Sequence, residues 1–317
     1  MNFKCLFLAL ALLAIAAGFP AGAQTTVYST GFEFEEGFRT DSDLAGQNGW
    51  TGSSGNGIVT NFFQDFGQQA YIGYSAPAGS TNSFYSVYPP VNLAPIPTNE
   101  PLVKFSVMMQ IVDSTSTNGP FDDFRWSVYN TNGMRLFSVD FDNASLQVFY
   151  LLDDGGDFVP TNTKFDTLGY YEFGIAMNFS RNLWSATLND QVIVNAQPIT
   201  TLGSPLNLGD IDAIWSVRSP ESPGDNYMLF DNYTISTEPL SSIPPRLEPT
   251  GLVSGGSYQA RLYGEPGLVY RVEASTDLVH WETLLTFTAP TPGGILDFQD
   301  TKASNFTHRF YRARQAP

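Results

Sequence analysis

The chain predicts an all-β protein: a large antiparallel β-sandwich followed by a smaller β unit. Three observations predict it. Helical periodicity is almost absent beyond the first two dozen residues. Short runs rich in aromatic and β-branched residues recur, broken by Gly, Asn, Asp and Pro. The stretch STEPLSSIPPRLEP (236–249), with four prolines, then interrupts the pattern and reads as a stiff linker.

The elements follow in order. Residues 1–23 read as an export leader: Lys4 supplies the positive charge, LFLALALLAIAAGF the apolar run, and Ala21-Gly22-Ala23 the small-residue cleavage site, with the cut between Ala23 and Gln24. The run is too short for a comfortable membrane span, so no span is expected in the mature chain. The lone cysteine, Cys5, lies in the leader, which leaves no disulfide or thiolate site beyond it. PLVKFSVMMQIV (101–112), FRWSVYN (124–130), MRLFSVDF (134–141), SLQVFYLL (145–152), YYEFGIAMNFS (170–180) and LWSATL (183–188) read as strands. Side chains alternate across a strand, so Phe124, Trp126 and Val128 share one face and Arg125, Ser127 and Tyr129 the other. Tyr171, Phe173, Ile175, Met177 and Phe179 likewise point inward, with Glu172 and Asn178 opposite. Asn189-Asp190 is a two-residue hairpin turn. Trp126, Trp184 and Trp215 alternate with apolar neighbours and read as core. Beyond the linker, GSYQARLYG, LVYRVEAST, HWETLLTF, ILDFQD and HRFYRARQ supply the strands of a second β domain. The expected organisation is leader 1–23, main domain 24–238, linker 239–249 and small domain 250–317.

Charge supports that division. Residues 24–240 carry 24 acidic against 7 basic side chains, whereas 241–317 carry 7 of each. The acidic segment would repel phosphate backbones, which argues against nucleic acid as a partner. Solubility outside the cell is the plain reading of the acidity.

The main domain resembles the laminin-G-like and concanavalin A-like jelly rolls of secreted bacterial proteins. The resemblance rests on GFEFEEGF (31–38) with LAGQNGWTG (44–52), on YYEFGIAMNFSRNLWSATLNDQVIVN, and on the closing YMLFDNYTIS (227–236). The C-terminal YRVEASTDLVHWETLLTF…FQDTKASNFTHRFYRARQ is similar to the fibronectin-like end module of exported proteins from Verrucomicrobia and related bacteria, which brings no catalytic residues. The first resemblance implies an antiparallel jelly-roll sandwich. It also implies a structural calcium ion joining the first strand to the last, with Glu33 and Asp231 as ligands. The residues themselves leave GFEFEEGF open. As a strand it sets Glu33 beside Glu35, and such a pair serves as glycosidase acids, as calcium ligands, or as an edge that blocks aggregation.

Catalytic patterns of this fold are missing. No E-x-D-x-E occurs, and both histidines, His280 and His308, fall in the small domain, where they read as surface residues. That removes Ser-His-Asp chemistry and His-ligated zinc from the main domain. Asp140 and Asp142 read as a solvated strand face, and Asp153, Asp154 and Asp157 as a hairpin loop. The candidate ligand residues are Arg125, Tyr129, Glu172, Asn178 and Arg218, with Arg125, Glu172 and Asn178 expected on one exposed sheet face. The function expected is an exported, non-catalytic carbohydrate-binding or surface-interaction protein, whose partner is an extracellular polysaccharide or cell-surface glycan. A glycan-active enzyme and an adhesive surface component are the alternatives.

Overall fold

The computed structural model describes residues 24–113, 121–240, 245–253, 257–264, 268–290 and 294–316. The leader, up to Ala23 at the expected cut, lies outside them. Fifteen strands build the main body: β1 (Thr25–Thr30), β2 (Thr51–Gly52), β3 (Asn56–Thr60), β4 (Gln68–Gly73), β5 (Phe84–Tyr88), β6 (Leu102–Val112), β7 (Asp123–Tyr129) and β8 (Arg135–Asp142), then β9 (Gln147–Leu152), β10 (Val159–Lys164), β11 (Tyr171–Asn178), β12 (Leu183–Leu188), β13 (Gln191–Pro198), β14 (Asp210–Ser216) and β15 (Tyr227–Glu238). They form an antiparallel jelly-roll sandwich of two sheets. One has eight strands in the order β13-β12-β11-β6-β15-β4-β3, with β1 also on β15; the other has seven, β10-β9-β8-β7-β14-β5-β2. No helix among the described residues is long and apolar enough to cross a membrane.

The alternation read from the sequence is the one the sheets use. Val103, Phe105, Val107, Met109 and Ile111 of β6 face Phe124, Trp126 and Val128 of β7 across one core. Each such side chain contributes roughly 1.5–3 kcal/mol by leaving water. Phe137 of β8 stacks on Trp184 of β12 with centroids 3.9 Å apart, joining the two sheets. Trp126, Trp184 and Trp215 are all buried, as expected. Their indole N–H groups have acceptors: Met109 Sδ, the Pro198 carbonyl and Asp122 Oδ2 respectively. At the β12–β13 turn, Asn189 and Asp190 both have positive φ, 47° and 61°, the geometry of a primed two-residue hairpin.

Two expectations need correction. GFEFEEGF is not a strand. β1 ends at Thr30, and Phe34–Glu36 form a single 3-10 turn. Glu36 folds back so that its Oε2 accepts hydrogen bonds from Thr30 Oγ1 and from the amides of Gly31 and Glu33. A carboxylate three residues after the start of a turn satisfies its free amides, and this outcompetes the extended form. Glu33 and Glu35 therefore do not share a strand face. The linker is also shorter than 239–249: Arg246–Pro249 belong to β16 (Arg246–Val253), which pairs with the next strand.

The C-terminal strands are β16, β17 (Ser257–Tyr263), β18 (Val269–Ser275), β19 (Glu282–Thr288), β20 (Ile295–Asp300) and β21 (Phe310–Gln315). They make two three-stranded sheets, β16-β17-β20 and β19-β18-β21. Their core is a separate small cluster around Leu262, Tyr270, Val272 and Phe298.

Candidate functional site

Arg125, Glu172 and Asn178 all point away from the core, but they do not share a face. Arg125 lies on β7 of the seven-stranded sheet, whereas Glu172 and Asn178 lie on β11 of the eight-stranded sheet. Period two tells which side of its own strand a residue occupies, not which layer the strand joins. Tyr129 shares the outer face of Arg125. Arg218 follows β14 and reaches the edge of that same face, where Nη2 pairs with Asp123 at 2.5 Å and Asp142 at 2.6 Å.

The outer face of the eight-stranded sheet carries an aromatic platform that the candidate residues did not include. Phe62 (44% exposed), Phe66 (41%), Tyr74 (57%) and Tyr170 (50%) stand out of it. Edge-to-face and tilted contacts run from Tyr74 through Tyr227, Phe62 and Phe63 to Tyr170 and Phe66, with centroid separations of 5.7–6.2 Å. The rings rest on a buried patch of Phe63, Met108 and Leu229. Beside them opens a depression of 380 Å³, walled by Phe66 and Tyr170. Its polar groups come from Ser106, Glu172, Thr187, Asp190 and Asn232. Glu172 thus belongs to this site, while Asn178 lies farther along the same strand and accepts a hydrogen bond from Ser180 Oγ. At Gly174, a Cβ would lie 2.9 Å from Thr187 Oγ1, so glycine keeps the floor of the depression open.

Local chemistry holds the platform in place. The segment Asn61-Phe62-Phe63-Gln64-Asp65-Phe66-Gly67 turns back between β3 and β4. Gln69, buried in β4, accepts the Phe62 and Phe63 amides at Oε1 (2.8 and 3.2 Å) and donates from Nε2 to the Phe66 carbonyl at 3.1 Å. Asn61 Oδ1 accepts the Asp65 amide. On the other wall, Gln110 Nε2 donates to the Thr167 carbonyl and Thr167 Oγ1 to Asp113. The rings are therefore presented by braced loops. Three phenylalanines in seven residues of a turn segment were the available sequence signal, since turns normally favour small polar residues.

The seven-stranded sheet has a different outer face. Asp140, expected to be solvated, is buried and paired with Arg125, its partner across β7 and β8. Burial pushes its pKa up to about 7, against the opposing pull of Arg125. Asp153 is equally engaged: the Thr201 amide and hydroxyl and the Thr200 hydroxyl donate to its carboxylate. It ties the loop after β9 to the loop after β13.

Glu33 and Asp231 approach one another around Gly31. Ideal Cβ geometry there places Glu33 Cγ and Asp231 Oδ1 each at 3.8 Å. The Gln68 amide donates to the Glu33 carboxylate, and the Asn232 amide to Asp231 Oδ1 at 2.6 Å. Burial pushes the Asp231 carboxyl up to about 6; hydrogen bonds from Asn232 and Gln69 oppose the shift, and the charges of Glu33 and Glu36 add to it. Among the described residues, none of these three acids is ion-paired to a basic side chain, and no three acidic, His or Cys ligands converge as a metal group.

No protein-family model matches this chain, and no curated protein matches it. Some solved structures are similar to it at low identity. One is a sialidase (7% identity, TM-score 0.44, covering 67% of this chain), of whose length the chain spans 18%. Another is the basic winged bean lectin with Tn-antigen (10%, 0.44, 68% of this chain and 98% of that one). A third is an alginate lyase of polysaccharide lyase family-7 (14%, 0.41, 59% and 85%).

Proposed function

We propose that this chain is an exported, non-catalytic carbohydrate-binding protein that holds a glycan on the outer face of its eight-stranded sheet. The single observation that carries the reading is the braced row of exposed rings bordering a depression with a polar floor. The C–H faces of a sugar pack on aromatic rings, while its hydroxyls need donors and acceptors at the ring edges. Phe66 and Tyr170 supply the first, and Glu172, Asp190, Asn232 and Thr187 the second. A 380 Å³ depression lies within the usual range of about 300–1,000 Å³ for ligand sites.

The test is a glycan array probed with the mature chain, with reducing-sugar and unsaturated-product assays run in parallel. Binding without turnover is expected. Tyr170→Ala and Phe66→Ala should each weaken binding by roughly 2- to 10-fold, the value of one ring contact of about 0.5–1.5 kcal/mol. Turnover of any bound glycan, or full binding by the double variant, would overturn the reading.

A structural calcium ion at Glu33 and Asp231 is the second reading, with backbone carbonyls completing its shell. It is supported by the buried Asp231 carboxyl in the field of Glu33 and Glu36 with no basic partner among the described residues. Hard oxygen ligands of this kind suit calcium. Binding to the native state alone raises stability by about 2.7 kcal/mol at a hundredfold excess over Kd. Melting should therefore move upward with calcium and return with chelator, and Glu33→Gln and Asp231→Asn should abolish the difference. Superimposable curves would reduce the pair to structural carboxylates.

A further inference from the structure

A second cavity, of 280 Å³, opens on the outer face of the seven-stranded sheet, in the layer opposite the aromatic platform. Arg125, Tyr129, Arg135, Ser127, Ser138 and Phe84 line it. Arg135 is half-buried, and its Nη2 donates to the Leu152 carbonyl at 3.0 Å. No carboxylate lies within ion-pair distance of it among the described residues. A guanidinium has five N–H donors, and withdrawing one from water is costly unless an anion and further acceptors meet it. Among the described residues Arg135 has the Leu152 carbonyl but no ion-pair partner, Asp153 and Asp154 acting on it only at longer range, and it faces a cavity.

The surrounding groups favour an anion there. Arg125 sits between the rings of Phe84 (5.5 Å) and Phe158 (4.8 Å) and is the partner of Asp140. The lining thus presents two guanidinium groups; Asp140 lies behind Arg125 with Asp123 and Asp142 near it, and Asp153 and Asp154 lie near Arg135 beyond ion-pair distance. The Tyr129 hydroxyl stays a donor, because burial above all pushes its pKa up to about 12. Asp212 is 5% exposed, and burial, with the charge of neighbouring Asp210 adding to it, pushes its pKa well above the ordinary carboxylate range. Its Oδ1 has no hydrogen-bond partner among the described residues. Asp210 lies opposite Tyr129 in the β14–β7 ladder and is not among the lining residues. Ser127 and Ser138 hydroxyls, 2.7 Å apart, form the floor.

We infer that this cavity binds the carboxylate of an acidic sugar residue of the uronate class, with Arg135 as its principal partner and Tyr129 and the serine hydroxyls on the ring hydroxyls. The planar guanidinium fork matches a carboxylate with two parallel hydrogen bonds. The cavity volume, close to the lower limit of roughly 300 Å³ for ligand sites, admits one sugar ring rather than a long segment. Nothing in this inference uses the aromatic platform, so either site can fail without the other.

Titration calorimetry of the mature chain tests it with three probes: a galacturonate trisaccharide, the same trisaccharide with its carboxyls reduced to alcohols, and a sulfated neutral trisaccharide. The galacturonate should bind at least tenfold more tightly than either of the others. Arg135→Gln should lose at least tenfold, and Arg135→Lys should lose less. Tyr129→Phe, which preserves the ring, should also lose affinity and serves if Arg135→Gln does not fold. Equal binding of the reduced trisaccharide, equal or tighter binding of the sulfated one, no binding of galacturonate, or unchanged binding by a folded Arg135→Gln protein would each overturn the inference.

Discussion

Asp140, Asp212 and Asp231 are aspartates that the fold takes out of water. Burial is the leading cause in each case, and it pushes their pKa values up to about 7, about 10 and about 6 respectively. The ordinary value is about 3.9. Between about pH 4 and these folded values, the native state therefore holds protons that the unfolded chain has released. Stability must fall as pH rises through that window. Asp153 acts in the opposite sense: burial raises its pKa, but hydrogen bonds from Thr200 and Thr201 outweigh it and hold the carboxyl below the ordinary range. The exposed Asp277 and Asp297 are lowered as well, by hydrogen bonds from His280 and Arg261. Asp123 and Asp210 are raised by burial, and the buried groups dominate because exposed charges are screened by water. The expected outcome is a higher Tm at pH 5 than at pH 8, by several degrees, since each kcal/mol moves Tm by about 2–4 °C in a domain of this size. Asp212→Asn should raise Tm at pH 8 and flatten the profile. A lower Tm at pH 5, or an Asp212→Asn protein with the parent profile, would show that these carboxyls are ionised in the native state.

At the scale of elements, the platform depends on one buried side chain beneath its loop. Gln69 accepts two backbone amides and donates to a third group of the 61–67 segment. Gln69→Ala strands these groups, and each unsatisfied buried group costs about 1–3 kcal/mol. Chemical denaturation should therefore show a loss of roughly 2–4 kcal/mol, with glycan affinity falling alongside. A loss under 0.5 kcal/mol would mean that the loop is held by its rings alone. Gly67 is the second support. Its φ is +73°, and a Cβ there would come within 2.1 Å of Glu33 Oε1. Alanine at 67 meets both a left-handed backbone and the Glu33 carboxylate, so it should disturb the β3–β4 turn and the N-terminal turn together.

At the scale of the molecule, the described residues form two separate apolar clusters, one between the large sheets and one around Leu262, Tyr270, Val272 and Phe298. β15 ends at Glu238 and β16 begins at Arg246. The excess acid lies before this junction and the neutral segment after it. These features support two independently folded domains. Limited proteolysis should cut between 239 and 245 and release a stable acidic fragment, because domain boundaries fall in Pro- and Ser-rich segments such as this one. A chain that resists cleavage there and melts in one cooperative step would refute the division.

What the amino-acid sequence determined by itself was what is local. Alternation across β7 and β11 names the core residues, because side-chain direction in a strand is a property of the strand alone. Asn189-Asp190 names its hairpin for the same reason. Tertiary structure alone decided which strand enters which sheet, and so separated Arg125 from Glu172 and Asn178. It buried Asp140 under Arg125. It also gathered Phe62 and Phe66 with Tyr170 and Tyr227, residues far apart in the chain, into one surface. The physical reason is the same in each case. Proximity across a sandwich is set by sheet order and loop closure, which depend on the packing of the whole core and leave no periodic trace in any one segment.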